Sequence, residues 1–477
     1  MSEFITIQVG QCGNQIGNAL WPLILDEYGI SQVPDGIHRD KYNDKSDFTI
    51  NDGFHSFFHV PENAKVRGFK TFSDLKQAKV KARAILIDME EGIVNKYRTG
   101  PMRGIFSNQN IITNYPGSGN NWAEGFYEHG QKYENDILTA VQSSLEKCDS
   151  LHGFLLLFSL GGGTGSGLGT ATLKLLADNY PLIDRFVCAV YPSGTEDVII
   201  APYNVALSTS KLIQYASCVF PVENRQLIDI LNLLQNYRSK ETLRYMANCK
   251  PFQDMNSIIV NMLLHLTSGS RFPGALNLDM SDLVTNMVPY PRLHYLSTSY
   301  FPHTLAAMKS SASSNRQFLE NMYNGITSHR NQLVKLTPLD KQLKLIGATI
   351  QGRGAITITD LRYVVRKLQL KGQFTPWSKT AIKLGLCSIP PTGHDYSLFG
   401  IFNTTAMQTL YENVLTQFTK LYKRKAHVHH YCKIDGFEHE QFKHCPEIIE
   451  SCIEDYKSIA TMTPRNSILS TSRYEIL

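Results

Sequence analysis

Paired cysteines, long apolar runs and strong charge of either sign are all missing from this chain. Its nine cysteines are scattered without a CxxC spacing, and an odd count closes no disulfide framework. Reduced thiols are therefore expected, not the stapled scaffold of a small secreted domain. No apolar run approaches the ~20 residues of a membrane span. The opening stretch EFITIQVG alternates like a strand and leads into a Gly-containing turn, unlike a signal peptide. The expectation is a cytoplasmic protein with no membrane partner. Charged residues make up 19% of the chain and the formal net charge is +5, too mild to argue for a nucleic-acid partner. What is present is 42% hydrophobic residues over 477 positions, enough for two or three domains with a sizeable core.

Short apolar strands alternate with helical patterns over roughly the first 235 residues. The predicted strands are Phe4–Val9, Ala84–Asp88, Gly153–Ser159, Phe186–Tyr191 and Cys218–Val222. Such alternation implies an α/β fold with a mostly parallel sheet covered on both faces, and a ligand crevice beyond the carboxyl ends of its strands. Residues 31–80 break the rhythm and read as a long surface excursion. A second irregular patch, 233–252, carries NYRSKETLRY and resembles an inserted, solvated loop. NSIIVNMLLHL (256–266) is apolar nearly all round, which predicts a buried helix joining the first domain to the second. Beyond it LHYLSTSYF and LKLIGATI read as strands. Met407, Leu410, Tyr411, Val414, Phe418 and Leu421 then form one helical stripe, and Ile448, Ile449, Cys452, Ile453 and Tyr456 another. The predicted division is 1–253, 254–270, 271–400 and 401–477.

The strongest local signal is LGGGTGSGLG (160–169), which follows the apolar stretch GFLLLFS and opens a helical pattern. Glycines let backbone amides approach a ligand closely, and a helix N-terminus favours anionic phosphate. Thr164 and Ser166 can add hydroxyl donors. No lysine follows the glycines, so a P-loop is excluded. The dinucleotide pattern GxGxxG can be forced onto Gly163, Gly165 and Leu168, but its third glycine is missing. A nicotinamide-dependent oxidoreductase would also need an acidic ribose partner about 20 residues on, which is not in good order here. So many glycines with a threonine and a serine also exceed what a packing turn needs.

With VGQCGNQIG (9–17) added to GGGTGSG (161–167), the chain resembles the tubulin family. The similarity continues in family order through DMEEG (88–92), GSGNNWAEG (117–125), YPS (191–193) and PYN (202–204). It extends to RFPGALNLD (271–279), NMVPYPRLHY (286–295), IPP (389–391) and RKAHVHHY (424–431). ARAILIDMEEGIVN, GLCSIPP and LYKRKAHVHHY are similar to its epsilon branch. The resemblance implies a three-layer GTPase domain with a parallel sheet, a central buried helix, a second α/β domain and C-terminal helices. It also implies GTP or GDP with Mg2+ as ligands. By position, Gly10, Gln11, Cys12 and Gln15 match the first phosphate loop. Asp88 and Glu90 match acidic positions near the phosphates and their magnesium. Ser118, Gly119 and Asn120 match the loop facing the terminal phosphate, and Gly161, Gly162, Gly163, Thr164 and Gly165 the phosphate cradle. Ser193 and Asp197 match the ribose loop; Asn224, Phe252 and Asn256 match the base site. Phe252 suits stacking on a purine, and the two amides suit a guanine edge. Two departures stand out. Ala201 occupies the place of a ribose-contacting glutamate, in a loop one residue shorter, and Phe252 that of a tyrosine.

NLDMSD brings Asn277, Asp279 and Asp282 together. Asp279 could cap a helix. The resemblance offers another role, in which this loop reaches the nucleotide of a neighbouring subunit and Asp282 orients water for attack on the terminal phosphate. His427, His429 and His430 invite a metal reading, but no Cys or carboxylate completes a set at the usual spacing, and the resemblance offers packing instead. The last stretch, MTPRNSILSTSRYEIL, has only Arg465, Arg473 and Glu475 charged. Lacking a glutamate-rich tail, it argues against a bulk lattice subunit. The implied role is a GTP-binding cytoskeletal subunit whose partners are other tubulin-family subunits and the microtubules of centrioles, basal bodies or the centrosome. GTP hydrolysis on assembly is open. A gamma-like nucleator is the alternative within the family; the histidine segment and the tail speak against it.

Overall fold

Strand Glu3–Val9 (β1) is buried at every position, as expected for a strand with helices on both faces. A computed structural model describes residues 2–30, 53–61, 69–194, 198–236, 251–272, 274, 276–303, 315–337, 339 and 343–462. Around β1 run Ala84–Asp88 (β2), Ile111–Thr113 (β3), Leu151–Ser159 (β4), Asp184–Tyr191 (β5) and Cys218–Glu223 (β6). They form one sheet in the order β3-β2-β1-β4-β5-β6, parallel throughout. Strand alternation divides its side chains between two cores. Phe154, Leu156 and Phe158 face one, Leu155 and Leu157 the other. The five predicted strands are present, and β3 is an addition. At three residues on the sheet edge, it is too short to carry a legible pattern.

Helices Gly10–Glu27 (α1), Gly169–Asn179 (α2), Ala201–Tyr215 (α3) and Asn224–Asn236 (α4) follow their strands. The apolar helix is Pro251–Leu266 (α5), with Ile258, Ile259, Val260, Met262, Leu263, Leu264 and Leu266 buried. Each such side chain contributes roughly 1.5–3 kcal/mol by leaving water, which fixes α5 between α1 and the second domain. The expected loop at 233–252 is shorter than predicted: α4 runs to Asn236 and α5 begins at Pro251. The rest of that loop, 237–250, lies outside the described residues.

Residues 31–52 and 62–68 also lie outside them; in the remainder of the predicted surface excursion Lys70, Ser73, Lys76, Gln77 and Lys79 are exposed, but the segment also carries an apolar set that is not. Phe54, Phe57, Phe58, Phe72 and Leu75 are buried. Phe58 meets Trp21 edge-on at 5.5 Å and stacks on Phe54 at 4.5 Å, so this segment closes one face of α1. The turn-forming residues around it hid that aromatic spacing.

The second sheet has Ser297–Phe301 (β7), Leu345–Gly354 (β8), Lys383–Cys387 (β9) and Tyr396–Thr404 (β10) in the order β9-β8-β10-β7. Only the latter half of LHYLSTSYF joins it. Tyr295 bridges to Val219 of β6 instead, with Leu296 N–H donating to Val219 O at 2.9 Å, which ties the two sheets together. A buried ion-pair triad adds to this joint. Glu27 at the end of α1 meets Arg271 at 2.6 Å and Arg353 of β8 at 3.1 Å, all essentially without solvent exposure. Helices Met280–Met287 (α6), Asn315–Thr327 (α7) and Ile358–Lys371 (α8) belong to this domain. The two predicted C-terminal helices are Gln408–Tyr422 (α9) and Gln441–Thr461 (α10), and both pack on α3. Among the described residues no helix is long and apolar enough to cross a membrane.

Candidate functional site

Strand order in the large sheet reverses between β1 and β4. A crevice opens at such a switch point beyond the carboxyl ends of the strands, and both Gly-containing motifs begin there. Gly10 has φ +71°, and a Cβ on it would lie 2.9 Å from Gly165 N, so the two loops are pressed backbone to backbone. A Cβ on Gly163 would lie 2.7 Å from Asn121 N, and one on Gly167 2.3 Å from Trp122 O. Protein packing alone demands those glycines. Gly161 and Gly162 differ. A Cβ would meet only Pro192 at 3.4 Å from the first and Asn120 Oδ1 at 3.8 Å from the second. Nothing within the fold requires glycine there, and the loop backbone is left bare. The loop does not enter an α-helix directly as expected. Thr164–Leu168 form one π-helical turn before α2 begins, and within it Ser166 Oγ bonds back to the carbonyl oxygens of Gly162 and, at 3.3 Å, Gly163.

The Ser118–Asn120 loop closes over this cradle. Ser118 Oγ lies 3.0 Å from Thr164 Oγ1, and Gly119 and Asn120 both take left-handed angles, φ +48° and +58°. In the first two turns of α1, Gln11 is exposed, while Cys12 and Gln15 are half-buried. Burial pushes the Cys12 thiol up to about 12, so it stays neutral. Two residues escaped the site reading. Asn14 donates to Gly10 O at 3.0 Å and to Ile87 O at 3.1 Å, fastening the first loop to the end of β2. Asn204, fully buried on α3, donates to Asn120 O at 2.7 Å, Gly161 O at 2.9 Å and Gly162 O at 3.3 Å. An amide inside the otherwise apolar start of that helix was the available signal.

Asp88 ends β2 beside this loop cluster. Its carboxylate is 2% exposed, one oxygen has no hydrogen-bond partner, and the backbone N–H groups of Glu90 and Met89 serve the group. Burial, with the Glu90 charge adding to it, pushes the Asp88 pKa up to about 7. Glu90 is exposed and lines the same loop; a Cβ on Gly117 would lie 3.1 Å from its Oε1. A buried carboxylate with an orphaned oxygen and a second carboxylate nearby lack a positive partner.

On the far side of α1, Asn224 opens α4 and Asn256 sits half-buried on α5, with both α1 and α4 packed against α5. Phe252 lies in the first turn of α5, and Ser193 follows β5 half-buried. Asp197 lies outside the described residues. Ala201 begins α3 and is buried.

Asp279 and Asp282 lie elsewhere. Asp279 caps α6, accepting from Met280 N at 2.6 Å and Ser270 Oγ at 2.6 Å, and Asp282 completes the capping box by accepting from Asp279 N at 3.2 Å. Asp279 also accepts from the Ser2 hydroxyl, and Ser2 precedes the seven residues of β1. The carboxylates therefore sit at the amino end of the sheet, about 20 Å from the glycine loops at 3.3 Å per residue. Neither reaches this chain's own cradle. Asp282 is half-exposed and lies 3.5 Å from Lys383.

In the histidine segment the packing is done by Val428 and Tyr431, not by His429 or His430. Val428 and Tyr431 are buried, while His429 and His430 stand exposed with rings 4.1 Å apart. Among the described residues no group of three or more His, Cys, Asp or Glu side chains is arranged to hold a metal ion.

A parallel sheet with a glycine cradle at its switch point and a second sheet joined through a buried helix forms an arrangement suited to the phosphates of a nucleotide. Residues 3–232 match the model of the Tubulin/FtsZ family, GTPase domain, and residues 291–416 match that of the Tubulin C-terminal domain. The chain is 38% identical to the tubulin epsilon chain of Mus musculus and 37% identical to that of Homo sapiens, covering 96% of each chain in both pairs. Identity to a tubulin beta chain of Coprinopsis cinerea is 30%, over 97% of this chain and 96% of that one. The chain belongs to the tubulin family, and it is more similar to these epsilon chains than to that beta chain.

Proposed function

We propose that this chain is a GTP-binding cytoskeletal subunit that works by stacking with other tubulin-family subunits in centriole or basal-body microtubules. The observation that carries the reading is the bare backbone at Gly161 and Gly162 within two interlocked glycine loops. Space that no side chain of the protein claims, beside free amide groups, suits a triphosphate. Ser118 and Thr164 hydroxyls add donors, and the helices bearing Gln15, Asn224, Phe252 and Asn256 border the place for a guanine. The 37–38% identity to epsilon chains supports the assignment to that branch; the centriolar or centrosomal setting rests on the resemblance alone.

The residues present fit Mg2+. Asp88 offers an unpartnered oxygen in a site where burial and the neighbouring Glu90 charge hold its pKa up, and Glu90 lies close by. They would hold the ion through water or phosphate oxygens, and its charge would offset that of the terminal phosphate. For hydrolysis, Asp282 would act on the nucleotide of the next subunit, where its carboxylate orients water. Its place at the opposite end of the sheet supports action between subunits.

Nucleotide extracted from purified protein should be GTP or GDP at close to one per chain; NAD, or none even when GTP is supplied, refutes the reading. Single-turnover GTP hydrolysis with Asp282→Ala supplied as the subunit below should be slowed, and an undiminished rate removes Asp282 from the mechanism. A tagged chain in ciliated or dividing cells should mark centrioles or basal bodies.

A further inference from the structure

Asn204 and Tyr431 are 227 positions apart, yet Tyr431 O–H donates to Asn204 Oδ1 at 2.6 Å. The same oxygen accepts from Trp122 N at 3.1 Å, while Asn204 Nδ2 reaches the carbonyls of Asn120, Gly161 and Gly162. Every polar site of this buried amide is filled. The direction of those bonds has a consequence for the cradle. In a trans peptide the C=O and N–H point opposite ways. Drawing the Gly161 and Gly162 carbonyls toward Asn204 therefore turns the N–H groups of Gly162 and Gly163 away from it. Among the described residues neither N–H has a partner within the protein. Asn204 thus holds two donors ready for an anion.

Tyr431 in turn belongs to the C-terminal segment between α9 and α10. Its ring is fully buried against Tyr203, Phe437 and Phe442, and burial holds its hydroxyl protonated, as a donor. A second bond runs in parallel, from Asn121 Nδ2 to His430 O at 3.1 Å. We propose that Asn204 is the positioning residue of the phosphate loops and that Tyr431 couples it to the C-terminal segment, so that seating of residues 428–431 and retention of guanine nucleotide reinforce one another. Such coupling is reciprocal: whatever pulls that turn off the domain loosens the nucleotide, and nucleotide steadies the turn.

The inference rests on the guanine-nucleotide reading above, and GDP is the probe. Tyr431→Phe removes one hydroxyl and leaves the ring. Losing one buried hydrogen bond of the usual net value should speed GDP release roughly three- to tenfold. Tyr203→Phe is the control, because its hydroxyl also ties α3 to the C-terminal segment, at Ala426 O, 2.8 Å, without touching the loops. Because that change loosens the segment without touching Asn204, it should speed GDP release less than Tyr431→Phe does. A structural role alone would lower the melting temperatures of both variants and leave release unchanged. Hydrogen exchange in the wild-type protein gives a readout without mutation: amides of 428–431 should be better protected with GDP than without. Release from Tyr431→Phe at the wild-type rate, equal acceleration in both variants, or protection indifferent to GDP would each overturn the coupling. A wild-type chain that takes up no guanine nucleotide would overturn the functional reading itself.

Discussion

Removing the charge at Asp88 should stabilise the empty protein and weaken the loaded one. Its carboxyl is raised from 3.8 to about 7, by burial first and by Glu90 second. The folded state then keeps a proton that the unfolded chain has released. Between about pH 4 and pH 7 the native state binds more protons, so stability falls as pH rises through that window. A shift of about three units at ~1.4 kcal/mol each sets an upper limit near 4 kcal/mol. Asp88→Asn keeps the shape without the charge. In nucleotide-free protein with chelator, its stability advantage over wild type should grow by about 2 kcal/mol between about pH 5.5 and about pH 8. Denaturant unfolding at the two pH values measures this directly. With GTP and Mg2+ present the sign should reverse, because the variant lacks the charge that draws in the cation; GTP retention should lose its dependence on Mg2+. A stability difference that ignores pH, or Mg2+-dependent retention equal to wild type, would refute the proposal that Asp88 helps hold the cation.

Gly162→Ala should melt within about 1 kcal/mol of wild type, since its methyl enters open space, yet bind GTP more weakly. Gly163→Ala should lose roughly 1–3 kcal/mol or more, because its methyl collides with backbone at 2.7 Å; paired melting and binding curves separate the two. Glu27→Gln should cost about 3–5 kcal/mol in denaturant unfolding by leaving Arg271 and Arg353 without their buried counter-charge. A loss under about 1 kcal/mol would mean the triad is not the joint it resembles.

Local pattern carried much of the fold. Continuous apolar runs located five strands of the large sheet, because strands covered on both faces need apolar residues throughout. The stripe of α9 and the all-round apolarity of α5 were equally legible. What escaped depends on distant partners. Phe54, Phe57 and Phe58 look like part of a loop until Trp21 and Tyr28 are placed opposite them. Asp279 and Asp282 share a legible helix start, but only the bond from Ser2 reveals which end of the sheet they occupy. In the site, glycine spacing pointed to the cradle, yet it could not separate Gly163, required by packing, from Gly162, which is not. Asn204 was hidden for the same reason: its three acceptors lie 42, 43 and 84 residues away.

All six strands of the large sheet point one way. Chains joined tip to base in a row would inherit that direction, and the two extremities of the row could never be alike. One would present an uncovered cradle, the other the Asp279 and Asp282 carboxylates. Growth and loss at the two extremities would then answer to different chemistry, a handed behaviour settled by the direction of a single sheet.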